Sequence, residues 1–465
     1  MRARLSMVAF LLPSLALLAA AGQAQGTRTR QRLPVLQPAG GPGLRPWALA
    51  FGGTDFDAAA ALAEAAGGDL FAAGHTRSSG AGGADAWVAR LGPEGRVRWE
   101  RAIGGTGEDL ALSLAATPDG GCIVAGVTSS FGAGGEDGWI LKLGASGAIE
   151  WQRTYGSAGQ DAFAAIAASP RGYFVGGALE DAGLLHDAWI LEIDSTGDVL
   201  WQESFGGGGD DRLRSLAATT GGVAFSADSN SALGGVEVPF FRPWLVRLDG
   251  DGAALWQRSY DFSGGDSWSQ LVALEGGGFV ATGEILATGF FRGDLWVVRL
   301  DDAGAIVWDA RFGDHFGIPG YDAGLGVRPA PGGGFVVLGS TGTAGPTDLW
   351  LVGLDSRGEL AWEQTFGGPG LDNGAALCVS SGGDCLLAGD SGSFGAGSAD
   401  AFLLRVPPGG VATGCDLSRA TAPAAWSSAL AVAAPAVPPE LTGVVPQASG
   451  ARVTVLATRS VVCPD

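Results

Sequence analysis

Asp109-Leu-Ala-Leu-Ser-Leu-Ala115, Gly120-Gly-Cys-Ile-Val-Ala-Gly126, Asp137-Gly-Trp-Ile-Leu-Lys-Leu143 and Trp151-Gln-Arg-Thr-Tyr-Gly156 follow one another along the chain. Each piece is short, apolar and bounded by Gly or Asp, which is how strands read. We call them A, B, C and D. The links Pro118-Asp-Gly-Gly121 and Gly144-Ala-Ser-Gly147 carry hairpin-turn residues, so A pairs with B and C with D. The Trp that opens piece D recurs at Trp47, Trp99, Trp151, Trp201, Trp256, Trp308 and Trp362, at spacings of 50 to 55 residues. A repeat of that length built from four strands is a propeller blade.

The two ends decide how the ring closes. The last repeat has A at Asp372, B at Cys385 and C at Ala401 to Val406, but no D strand after it. A lone D strand, Arg45 to Phe51, stands before the first A. Pairing it with the last repeat removes two open sheet edges. The predicted fold is therefore all-β: a seven-bladed β-propeller of four-stranded blades, closed by the N-terminal strand. Six C strands carry a Trp at a fixed place (Trp87, Trp139, Trp189, Trp244, Trp296, Trp350), with Phe402 in the seventh. One aromatic per blade reads as blade-to-blade packing.

The chain has 465 residues, of which 81 are Gly, and a formal net charge of −20. Such acidity excludes nucleic acid and anionic membrane surfaces as partners. Arg2 and Arg4 precede a 15-residue apolar stretch, Met7 to Ala21, and small residues that fit a cut after Ala24. That is a secretory signal, too short to span a bilayer. The expected organisation is 1–24 signal peptide, 25–44 flexible leader, 45–406 propeller and 407–465 tail. The tail is rich in Pro and Ala, with one strand-like piece at Ala451 to Ala457, and packs on the propeller's side or forms a small appendage. The expected location is extracellular or periplasmic. The wealth of Arg over Lys suits a GC-rich bacterial genome.

Ile193-Asp-Ser-Thr-Gly-Asp-Val-Leu-Trp201 and Leu354-Asp-Ser-Arg-Gly-Glu-Leu-Ala-Trp362 resemble the blade motif of quinoprotein-type propellers. The whole repeat, over residues 45 to 406, is more similar to the secreted bacterial β-propeller-repeat proteins. That resemblance implies the fold and export. Quinoprotein dehydrogenases have eight blades and a vicinal Cys pair; this chain has seven repeats and no Cys-Cys.

The D-to-A links are Gly-rich and end in Asp, as in Gly104-Gly-Thr-Gly-Glu-Asp109 and Gly367-Gly-Pro-Gly-Leu-Asp372. We read the Asp as a cap on turn amides, with no cofactor expected and calcium as the alternative. Asp249-Gly-Asp-Gly252 is a weak calcium-like string. Arg292-Gly-Asp294 matches an adhesion tripeptide by coincidence with the repeat's own Asp. His75, His186 and His315 fall in different blades without metal-ligand spacing, and no nucleophile elbow, H-E-x-x-H or Walker loop occurs. Export makes disulfides permissible. The expected pairs are Cys378–Cys385, across the last A-to-B hairpin, and Cys415–Cys463, bracketing the tail, with Cys122 buried and free.

Asymmetry in a regular ring points to function. The B-to-C loops of the fourth and fifth repeats and the D-to-A loop entering the sixth gather Phe240, Phe241, Arg242, Phe290, Phe291, Arg292, His315, Phe316 and Tyr321 on one face. Aromatics with Arg suit a glycan or an extracellular protein. The leading expectation is a non-enzymatic binding or scaffold propeller. The alternatives are a carbohydrate-active hydrolase or lyase using loop carboxylates, and a structural surface module.

Overall fold

A computed structural model of the protein describes residues 46–180, 185–231, 237–261, 265–286, 293–313, 322–342 and 346–409, and six short strands between 418 and 461. The repeat resolves into seven antiparallel sheets, one per blade, as expected. Ring closure is also as expected. Trp47–Phe51 pairs antiparallel with Asp400–Val406, Trp47 opposite Arg405 and Phe51 opposite Ala401.

The aromatic positions hold neighbouring blades together. The C-strand Trp side chains are buried between sheets. The D-strand Trp residues reach the next blade: the Trp99 indole N–H donates to Ala145 O at 2.9 Å, and Trp47 and Trp151 repeat this with Pro93 O and Ser195 O at 3.1 and 3.2 Å. Gly147 shows why the C-to-D turn needs glycine. Its φ is +76°, and a Cβ there would lie 2.8 Å from the Trp99 ring.

The loop Asp residues cap turns. Asp109 accepts from Gly105 N at 2.7 Å and from Ser130 Oγ at 2.6 Å, and also from Thr128 Oγ1. Asp372 does the same with Gly368 N, Ser393 Oγ and Ser391 Oγ. These bonds satisfy amides that a tight turn leaves without sheet partners.

The tail holds a strand, Arg452–Thr454, within the expected piece Ala451 to Ala457, and five more that were not expected. Six short strands pair antiparallel with the outermost strand of six blades. Ser418–Arg419 lies on blade 6, Ala425–Trp426 on blade 5 and Ala431–Ala433 on blade 4. Gln447–Ala448 then lies on blade 2, Arg452–Thr454 on blade 1 and Arg459–Val461 on blade 7, against Trp47–Phe51. The chain thus girdles the ring in the reverse of blade order. An exposed outer strand carries unpaired N–H and C=O groups. Short sequences with little hydrophobic periodicity suffice to cover them, because backbone hydrogen bonding does not depend on side-chain type.

Cys378 and Cys385 are free thiols, which corrects the expected bridge. Cys378 stands opposite Leu386 and Cys385 opposite Val379. A one-residue offset puts the two side chains on opposite faces of the sheet. Cys385 accordingly packs into one inter-blade core and Cys378 against another. Cys122 is buried and free, as expected. Residues 1–45, which include the Arg45 expected to open the N-terminal strand, and Cys415 and Cys463 lie outside the described residues.

Candidate functional site: the central channel

Every innermost strand contains one β-bulge. In Asp109–Ala116, Ala111 faces Gly126 and Ser113 faces Ala125, which leaves Leu112 over. The equivalent extra residues are Ala60, Ala164, Arg214, Ser269, Leu325 and Ala375. A bulge re-aims a side chain and bends its strand. Here all seven extra residues line one cavity of about 480 Å³ at the ring's centre. Their place is fixed from the B strand. Gly389, for example, has Asn373 O 1.8 Å from where a Cβ would stand. Six of the seven B strands carry Gly at this point, and blade 4 carries Ala227.

The backbone of the channel is sevenfold but its lining is not. Blades 1 to 3 and 7 contribute mainly Ala and Leu. Blades 4 to 6 contribute Arg214, Ser215, Asp228, Ser269, Gln270 and Arg328. Arg214 Nε donates to Asp228 Oδ2 at 2.7 Å. Burial pushes the Asp228 carboxyl up from its ordinary value, and the Arg214 guanidinium opposes that shift. Ser215 Oγ and Gln270 Oε1 accept from the next blade's Leu271 N and Val327 N, at 3.1 and 2.8 Å. Arg328 Nη1 donates to Gln270 Oε1 at 2.6 Å. Burial pushes the Arg328 pKa down.

Three further ionisable side chains, His75, Glu284 and Asp390, follow the bulge-facing Gly on their B strands. Asp390 is buried and accepts from Asn373 Nδ2 at 3.0 Å. Burial pushes its carboxyl up to about 7, against that hydrogen bond, and Asp372 adds to the rise. His75 is buried against Phe56, ring centroids 5.5 Å apart, and burial lowers it to about 4.

Of the nine loop residues named from sequence, Phe240, Phe241 and Arg242 are described, on strand Glu237–Asp249 of blade 4. Phe240 is 56% exposed, whereas Phe241 and Arg242 are half-buried. None of the three lines the channel. Phe290, Phe291, Arg292, His315, Phe316 and Tyr321 lie outside the described residues. Among the described residues, no three His, Cys, Asp or Glu side chains are placed to share a metal ion. The channel residues were legible in principle. Aligning the A strands puts Arg214 where other repeats have Ala, Leu or Ser, and Arg328 where they have Ala, Val or Cys.

Fold and channel define a seven-bladed β-propeller with a one-sided polar channel. No family model matches the sequence and no curated protein matches it significantly. Solved structures with similarity include Sqt1 from Chaetomium thermophilum (14% identity, 75% of this chain and 83% of that one, TM-score 0.43). The periplasmic gluconolactonase PpgL of Pseudomonas aeruginosa matches at 14% identity over 84% of this chain and 100% of its own, with TM-score 0.45. An α-L-arabinanase of Penicillium chrysogenum, solved with arabinobiose, matches at 14% identity over 78% and 98%, with TM-score 0.41.

Proposed function

We propose that this is an exported, non-enzymatic binding propeller that takes a small polar ligand, a sugar or sugar derivative, into its central channel. The observation that carries this reading is the one-sidedness of the lining: every charged group and most polar ones fall on blades 4 to 6, whereas the other blades contribute mainly Ala and Leu, with Ser113 their one polar side chain among the described lining residues. Few convergent polar groups on an apolar wall are what a small-molecule site needs. Blade 4 of these also bears Phe240, Phe241 and Arg242, on its strand Glu237–Asp249. The non-enzymatic part draws on Asp228. It is the one carboxylate in the described lining, and it is spent on Arg214. Glycoside cleavage uses two.

A glycan array tests this on the mature chain, on Ala164→Leu with Ala375→Leu, and on Phe240→Ala with Phe241→Ala. Binding by the parent that is lost in the channel-filled variant supports the reading. Loss only in the Phe variant moves the site to the loop face. No binding by the parent refutes the sugar reading. Edman sequencing of exported protein that begins at Gln25 supports export.

A further inference from the structure

We infer that the channel captures the carboxylate of an acidic ligand on the free edge of Arg328, an inference that rests on the channel-binding reading above. Arg328 occupies an inner-strand position that the other repeats fill with Ala63, Ala115, Ala167, Ala217, Val272 and Cys378. A guanidinium set among such groups is costly unless it is paired. The chain has 48 Asp and Glu residues, yet no described carboxylate pairs with Arg328.

The geometry says which edge is free. Nη1 is used twice, donating to Gln270 Oε1 at 2.6 Å and to Val327 O at 2.8 Å. Gln270 is itself anchored by the Val327 amide at 2.8 Å, so the guanidinium plane is set from one side. Nε and Nη2 have no acceptor among the described residues. Those two N–H groups are parallel and match the two oxygens of a carboxylate.

Arg214 supplies the internal contrast. It lines the same cavity, but its charge is met by Asp228. One channel cation is therefore neutralised by the protein and the other is left for a ligand. The cavity, about 480 Å³, is large enough for a monosaccharide-sized acid. The chain's net charge of −20 disfavours anions over the surface at large, so selectivity must come from this fixed contact rather than from long-range attraction.

The test is isothermal titration at low ionic strength with D-glucuronate, citrate, inorganic phosphate and D-glucose. The proteins are the parent, Arg328→Gln, Arg328→Lys and Ala164→Leu. At least one carboxylate is expected to bind the parent tenfold or more tighter than glucose or phosphate. Arg328→Gln removes that advantage, and Arg328→Lys, which keeps charge but lacks the paired N–H edge, restores only part of it. Arg328→Met serves in its place should Arg328→Gln not fold. The inference is overturned if the advantage survives in Arg328→Gln, if phosphate binds as well as the acids, or if neither acid binds the parent. Glucose binding as tightly as the acids, with both abolished by Ala164→Leu, overturns the Arg328 contact and leaves the channel reading standing. Acid binding untouched by Ala164→Leu overturns both.

Discussion

Replacing Asp390 by Asn should flatten the pH dependence of stability. The Asp390 carboxyl is raised from its ordinary 3.8 to about 7, chiefly by burial. A raised acid favours the folded state only while protonated. Between roughly pH 4 and pH 7 the folded chain holds a proton that the unfolded chain has released, so stability falls as pH rises through that window. Raising a carboxyl this far corresponds to about 4 kcal/mol, of which about 3 kcal/mol is lost between pH 5 and pH 8. Asn does not titrate, and its carbonyl oxygen can keep the acceptor role toward Asn373 Nδ2 now played at 3.0 Å. Asp85 and Asp137, raised to about 6 by burial, carry the same sign and remain in the variant. His75, lowered to about 4, carries the opposite sign, costing stability as pH falls from about 6.5 toward 4. Only the difference between parent and variant isolates Asp390. Urea unfolding of both at pH 5 and pH 8 measures it. Asp390→Asn should be the more stable at pH 8, with the gap shrinking by about 3 kcal/mol at pH 5. Equal pH slopes for the two proteins would refute the assignment of a buried, neutral Asp390.

Alkylation of the denatured, unreduced protein should label Cys122, Cys378 and Cys385. Unlabelled Cys378 and Cys385 would refute the offset register, and label on Cys415 or Cys463 would refute the proposed tail bridge. Gly389→Ala should cost about 2–4 kcal/mol, read as a lowered urea midpoint, because its Cβ would sit 1.8 Å from Asn373 O. An unchanged midpoint would mean that the bulge can relax. Chelator or millimolar calcium should leave the melting midpoint within a degree or two, since the loop carboxylates already accept from turn amides. A calcium-dependent rise of several degrees would restore the metal reading of those loops.

The fold was legible because the blade is dictated locally. A four-strand repeat with a fixed Trp and Gly-marked hairpins leaves little freedom, and the orphaned Trp47 strand requires the ring to close. The site was harder to see for a physical reason. Side-chain alternation assigns a residue to one face of a sheet, but a bulge breaks the alternation. Leu112 and Arg214 therefore read as ordinary strand positions, although the bulge turns them to the axis. Gly126 and its equivalents mark the bulge, yet an isolated strand Gly signals several things. The loop aromatics drew attention because they are conspicuous by composition, whereas Arg328 is conspicuous only against its six counterparts. The girdle was nearly invisible, since strands of two or three residues are too short to show an alternating pattern in the sequence.

The girdle also gives the two chain ends different responses to mechanical load. Tension on the C-terminal end meets Arg459–Val461 first, held to Trp47–Phe51 by three register pairs. That strand would peel before the contacts on blade 1 and blade 2 came under tension, so the girdle would release in steps at low force. Tension on the N-terminal end pulls on Trp47–Phe51, which has partners along both edges, Asp400–Val406 and Arg459–Val461. That strand is also the seam of the ring, so a protein tethered by its N-terminus would hold until the propeller itself opened.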